Sequence, residues 1–142
     1  MSSDFDFLLD IYVETALERK AIEVVVLDVR GLTSVADVFI ICSGRSNRQV
    51  TAIAEFILTD LKKHGIKPLS IDGKKEGHWI LLDYGHVVIH VFYEPVRKFY
   101  DLEGLWTDAK RIKIKDILQI DKFKELETRE ISEPATQNPT FR

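Results

Sequence analysis

Residues 38–54, V-F-I-I-C-S-G-R-S-N-R-Q-V-T-A-I-A, decide how this chain folds. The first five are a continuous apolar run, the pattern of a strand covered on both faces. After the Ser43-Gly44 turn, Ser46 and Gln49 stand three apart as in a capping box. Val50, Ile53, Ala54, Ile57 and Leu61 then form one apolar stripe at helical spacing, and Gly65 stands where a helix-ending glycine belongs. A central strand feeding a capped amphipathic helix predicts a sheet with helices packed on it.

Upstream, residues 23–29 (E-V-V-V-L-D-V) are β-branched and carry no helical stripe, so they predict a second strand. The link at 30–37, with Gly31, Thr33 and Ser34, suits a turn or one helical turn and is too short for a crossover helix. The two strands should therefore pair antiparallel. Leu9, Tyr12, Val13, Ala16 and Leu17 recur at helical spacing, which predicts a helix over 5–20 lying on the sheet.

Downstream, 68–71 reads as a short strand and 72–77 (D-G-K-K-E-G) as a charged, glycine-bounded, mobile loop. Residues 79–82 and 87–92 form a hairpin turning through 83–86. Pro95 suits the first position of a helix that Val96, Phe99, Leu102 and Trp106 continue as a single stripe to a break near Thr107. Residues 110–124 are mainly basic with interleaved isoleucines, and 125–142 are polar, contain Pro134 and Pro139, and lack periodicity. The expected organisation is one α/β domain at 1–109, a mixed sheet flanked by helices, followed by a partly disordered extension at 110–142.

Composition narrows the function. Hydrophobic residues at 45% and charged residues at 30% of 142 describe one globular domain with a real core. A formal net charge of -3 gives no global attraction to phosphate, which disfavours wrapping of nucleic acid. No apolar run approaches the ~20 residues of a membrane-spanning helix, and the acidic start at 1–10 is unlike an export signal, so a cytoplasmic protein is expected. Cys42 is the single cysteine, which removes an internal disulfide and a cysteine-based zinc finger.

A search for catalytic chemistry returns little. The turn 43–46 opens a helix where an anion could sit, yet it has one glycine and no following Lys-Ser/Thr, so neither the dinucleotide fingerprint nor the P-loop is met. Nucleotide transfer needs paired acidic metal ligands, and the one D-x-D, Asp4 to Asp6, precedes the first helix. Asp28, Asp37 and Asp83 sit at separate strand ends as turn carboxylates. His86 and His90 would share a helical face, but on a strand they lie ~13 Å apart, too far for one ion. Cys42 reads as a small buried hydrophobe. No catalytic residue, metal or cofactor is expected. What packing alone does not explain is the aromatic density of Trp79, Tyr84, Phe92, Tyr93, Phe99, Tyr100 and Trp106 among Arg97, Lys98, Asp101 and Glu103, the composition of a protein-binding surface.

Four segments in fixed order, 27–44 (L-D-V-R-G-L-T-S-V-A-D-V-F-I-I-C-S-G), 46–54 (S-N-R-Q-V-T-A-I-A), 78–92 (H-W-I-L-L-D-Y-G-H-V-V-I-H-V-F) and 96–106 (V-R-K-F-Y-D-L-E-G-L-W), resemble the Iojap/RsfS family of ribosomal silencing factors. The resemblance runs from about residue 8 to 109 and implies a mixed sheet of about five strands flanked by helices. That shape is related to nucleotidyltransferases without their acidic ligands. It also implies a non-enzymatic factor that binds the large ribosomal subunit through its L-fourteen-type protein and blocks joining of the small subunit, repressing translation. Residue by residue, the partner-binding surface it implies falls on Trp79, Leu82, Asp83 and Tyr84, with Tyr100, Asp101 and Leu102 as a further transfer. A homodimer and contact with nearby ribosomal RNA, steered by Arg45, Arg97 or Lys98, belong to the same expectation. The alternatives are a large-subunit assembly factor using the same surface, or a nucleotide-handling enzyme using the 43–46 turn.

Overall fold

The capped helix and its feeding strand form as their sequence dictates. In a computed structural model, which describes residues 9–118, β2 (Val38–Gly44) is buried along its whole length and leads into α2 (Asn47–Lys63). Ser46 Oγ accepts from the Gln49 backbone N–H at 3.1 Å, and the Gln49 side chain accepts from the Arg45 N–H at 2.6 Å, one residue earlier than a standard box. At the far end the Gly65 N–H donates to the Lys62 carbonyl and the Ile66 N–H to the Leu61 carbonyl, with Gly65 at φ +78°. This is the Schellman arrangement, which requires a left-handed residue at that glycine.

Around β2 the sheet is mixed, in the order β3-β4-β5-β2-β1-β6. β1 (Ile22–Asp28) pairs antiparallel with β2, as the short link requires, and the link itself forms turns without a helix. A bulge near Glu23, at φ +47°, shifts the β1 register between Ile22 and Val25. β5 (Val87–Tyr93) lies parallel to β2 on its other side, and β4 (Trp79–Asp83) and β3 (Ser70–Asp72) extend the sheet antiparallel. The β4–β5 hairpin turns where expected, with Gly85 at φ +95° and the Asp83 carboxylate accepting from its N–H at 2.8 Å. Beyond residue 109 the chain adds a sixth strand, β6 (Lys110–Ile112), to the β1 edge.

Alternation sends one side chain set to each face of this sheet. One face is closed by α1 (Leu9–Glu18) and α2, with Tyr12, Val13, Ile53, Ile57 and Leu61 against Ile40, Ile80, Leu82, Ile89 and Val91. Thr15 of α1 donates to the Asp60 carboxylate of α2 at 2.8 Å. Among the described residues the other face, centred on Phe39, Ile41, Val88 and Phe92, is covered by short helices and the turns beside them.

Those helices correct the expectation of a single third helix. α3 (Glu94–Tyr100) ends at Asp101, which adopts the left-handed conformation at φ 48°, ψ 57°. α4 (Leu102–Leu105) begins there, its N–H at Gly104 donating to the Asp101 carboxylate at 3.2 Å. Aspartate tolerates this conformation because its short side chain bonds locally. A Cβ at Gly104 would collide with that carboxylate, so the glycine permits the elbow. The expected stripe is broken accordingly: Phe99 is 80% exposed, and Arg97 is the buried residue of α3. Pro95 sits at the second helical position, one later than expected. α5 (Ile114–Ile117) closes the described chain, and the Asp4–Asp6 pair, the rest of the extension and the tail lie outside the described residues.

Candidate partner-binding site

The site residues drawn from the sequence separate by the parity of β4. Ile80 and Leu82 point to the face closed by α1 and α2, and Tyr84 follows them there. Leu82 is fully buried, and Tyr84 packs edge-on against Tyr12 at 5.4 Å. Burial pushes the Tyr84 and Tyr12 phenols above their ordinary pKa. These two side chains build the core. Trp79, Leu81 and Asp83 alternate onto the other face and are each half-buried. Leu81 shares the Trp79 face and was not among the residues expected there; the W-I-L-L-D alternation of β4, with Trp79 as reference, is the sequence signal for it.

Beside them stands the elbow of α3 and α4. Tyr100 is 52% exposed and lies 5.1 Å from the Trp79 ring, and Phe99 meets Tyr100 edge-on at 5.1 Å. Leu102 is buried against the open-face core, while Asp101 serves as the cap described above. The structure therefore brings Trp79, Asp83 and Tyr100 to one face, adds Leu81 and Phe99, and withdraws Leu82, Tyr84 and Leu102 from the surface.

Trp79 itself is held tightly. Its ring stacks on Phe92 at 4.7 Å with 29° between planes, and its Nε1–H donates to Nδ1 of His90 at 3.1 Å. His90 is buried with Phe39 edge-on at 5.0 Å, and burial depresses its pKa to about 4, so the imidazole is neutral near pH 7. With Nδ1 accepting, the proton sits on Nε2, which is buried and meets no hydrogen-bond partner among the described residues. Such an unmet donor costs about 1–3 kcal/mol.

The elbow is fixed from beneath by Arg97. Its Nη1 donates to Ser43 Oγ at 2.8 Å and to the Ile22 carbonyl at 3.3 Å, and its Nε and Nη2 grip the Glu103 carboxylate at 3.3 and 2.8 Å. The hydrogen bond from Arg97 holds the Glu103 carboxyl below its ordinary range. An arginine committed in this way is not free to steer RNA, which removes it from that expected role; Arg45 and Lys98 remain exposed. Cys42 is fully buried and burial pushes its thiol up to about 12, in keeping with a small hydrophobe. Among the described residues no three His, Cys, Asp or Glu side chains come together as a metal site, and no helix is long and apolar enough to cross a membrane.

A family model described as "Ribosomal silencing factor during starvation", RsfS, matches residues 3–139. The chain belongs to the RsfS family. The ribosomal silencing factor RsfS of Halalkalibacterium halodurans is 37% identical over 111 residues, covering 78% of this chain and 95% of that protein. A crystal structure of protein CV0518 from Chromobacterium violaceum superimposes with a TM-score of 0.68 at 36% identity, covering 70% of this chain and 83% of that one. A mouse relative named "Mitochondrial assembly of ribosomal large subunit protein 1" is 31% identical over 104 residues, and the match covers 46% of it. The RsfS match reaches past the 8–109 span in which the resemblance is visible by eye, and takes in β6 and α5.

Proposed function

We propose that this chain is a ribosomal silencing factor that binds the large ribosomal subunit through its L-fourteen-type protein and thereby blocks joining of the small subunit, repressing translation without making or breaking a bond. The observation that carries this reading is the half-open sheet face on which Trp79, Leu81 and Asp83 stand in a row beside Tyr100. A rigid aromatic anchor on a half-covered face is the form of a protein-binding hot spot. Occlusion needs only that the factor outcompete the small subunit for one surface, and a few such residues supply several kcal/mol of affinity. Lys98 and Arg45 are exposed, and their charge would serve a contact with nearby ribosomal RNA.

The test is co-sedimentation of the purified protein with separated subunits, scoring whether small subunits still join. Binding to large subunits alone, with joining blocked and Trp79→Ala impaired, is the expected result. Binding to neither subunit overturns the reading.

A second reading, a large-subunit assembly factor, is favoured by the name of the mouse relative. Accumulation of immature large subunits on depletion of the protein, with joining of mature subunits unaffected, would select it. The relatives are named as silencing or assembly factors rather than enzymes. A thermal shift of several degrees with magnesium and ATP or CTP would be required to revive nucleotide chemistry at the 43–46 turn.

A further inference from the structure

We infer that His90 is a positioning residue for partner binding: by accepting the Trp79 indole N–H it turns that donor into the protein, so that the partner meets ring carbon. The inference rests on the docking face proposed above.

The β4–β5 register sets Trp79 opposite Phe92 and Leu81 opposite His90, which puts His90 and Phe92 under the same indole. Stacking on Phe92 fixes the plane of the ring but is equally met by the indole flipped about its Cβ–Cγ bond, which would carry the N–H to the opposite edge. The bond to His90 Nδ1 removes that choice. Phe39 in turn holds the imidazole edge-on, and Tyr100 leans against the indole. The chain of rings thus runs from the buried core to the exposed Phe99.

A purely structural account of His90 fits less well. A leucine or phenylalanine would fill the space among Phe39, Phe92 and Trp79 without burying an Nε2–H that meets no partner among the described residues. What the imidazole supplies at that point is an acceptor for the indole. With its N–H satisfied internally, Trp79 offers a partner apolar surface, and the matching contact on the ribosomal protein is an apolar side chain rather than a carbonyl or carboxylate.

Three variants of the full chain test this: His90→Leu, His90→Gln and Trp79→Ala. The readouts are unfolding temperature, the indole N–H resonance of Trp79 assigned by comparison with Trp106→Phe, and affinity for purified large ribosomal subunits. In His90→Leu the indole signal is expected to shift and its proton to exchange faster with water. Unfolding temperature should stay level or rise, while affinity falls about tenfold. His90→Gln restores an acceptor and is expected to recover affinity to within about threefold of the parent.

Parent-like affinity in His90→Leu overturns the inference, as does loss of affinity that tracks loss of stability and is not recovered by glutamine. Undiminished affinity in Trp79→Ala overturns the docking face itself, and is recognised as such because the indole signal then reports the His90 bond intact in the parent.

Discussion

The two faces of the central sheet receive nearly the same kind of side chains and are finished differently. On one, α1 and the 17-residue α2 bury Ile40, Ile80, Leu82 and Ile89 completely. On the other, α3 and α4 form an elbow of seven and four residues that leaves Trp79, Leu81 and Asp83 half-covered and Phe99 and Tyr100 in solvent. The closed face holds the larger of the two buried clusters. Among the described residues the open face is thinly covered and aromatic, and under the function proposed above it is the surface that a partner would complete.

Adjacent leucines of β4 expose the contrast most sharply, and they carry the largest expected effect. Leu82→Ala removes a fully buried side chain and should lower unfolding free energy by about 2–5 kcal/mol in a denaturant titration. Leu81→Ala, one residue away on the half-covered face, should cost about 1 kcal/mol or less while weakening large-subunit binding. Equal stability losses with binding reduced only in Leu82→Ala would reverse the assignment of faces. Next in size is Arg97→Ala, which leaves Glu103, Ser43 Oγ and the Ile22 carbonyl without their guanidinium and should cost about 2–4 kcal/mol. Lys98→Ala, on exposed α3 surface, should change stability by less than about 0.5 kcal/mol in the same titration.

The difference between the faces also explains which parts of the structure could be read from the sequence. The α2 stripe and its caps, the buried β2, the antiparallel β1–β2 pairing and the β4–β5 hairpin follow from local periodicity and turn chemistry, and all are present. The elbow was not legible, because Val96, Phe99, Leu102 and Trp106 keep helical spacing across Asp101. The break depends on a left-handed aspartate, a glycine at 104 and a buried arginine reaching back to β2, which are tertiary facts. The bulge at Glu23 and the sixth strand likewise lack a local signal. At the candidate site, the family resemblance supplied Trp79 with Leu82, Asp83 and Tyr84, whereas a strand divides near neighbours between its two faces. That is why Trp79 and Asp83 stay together while Leu82 and Tyr84 turn inward, and why Leu81 was passed over.

Titration also separates the faces. His90 on the open face has a folded pKa of about 4, below the ~6.5 of an unfolded imidazole, so the unfolded chain takes up its proton first as pH falls. Its contribution is complete above about pH 6.5 and is lost progressively toward pH 4, roughly 3 kcal/mol across the window. The carboxyls of Asp28 and Glu103, lowered chiefly by hydrogen bonds from Arg30 and Arg97, act at more acid pH, since their stabilisation is lost as pH falls through their depressed values. Denaturant titrations from pH 7 to pH 4 should therefore show a slope in the parent that is largely absent in His90→Gln. The same slope in both would mean that another group titrates in that window and that the imidazole is not held neutral by the open-face core.

Phe99 should give a stability effect as small as that of Lys98 and marks how far the open face extends. At 80% exposure its ring has little burial to lose, so Phe99→Ser should shift unfolding free energy by less than about 0.5 kcal/mol. Yet it is the outer end of a run of ring contacts through Tyr100 and Trp79 to Phe92. If the partner covers the elbow as well as β4, co-sedimentation should show affinity for large subunits falling while the unfolding curve stays in place. If affinity also stays in place, the partner's footprint stops at Tyr100, and the exposed phenylalanine is surface that the complex leaves in water.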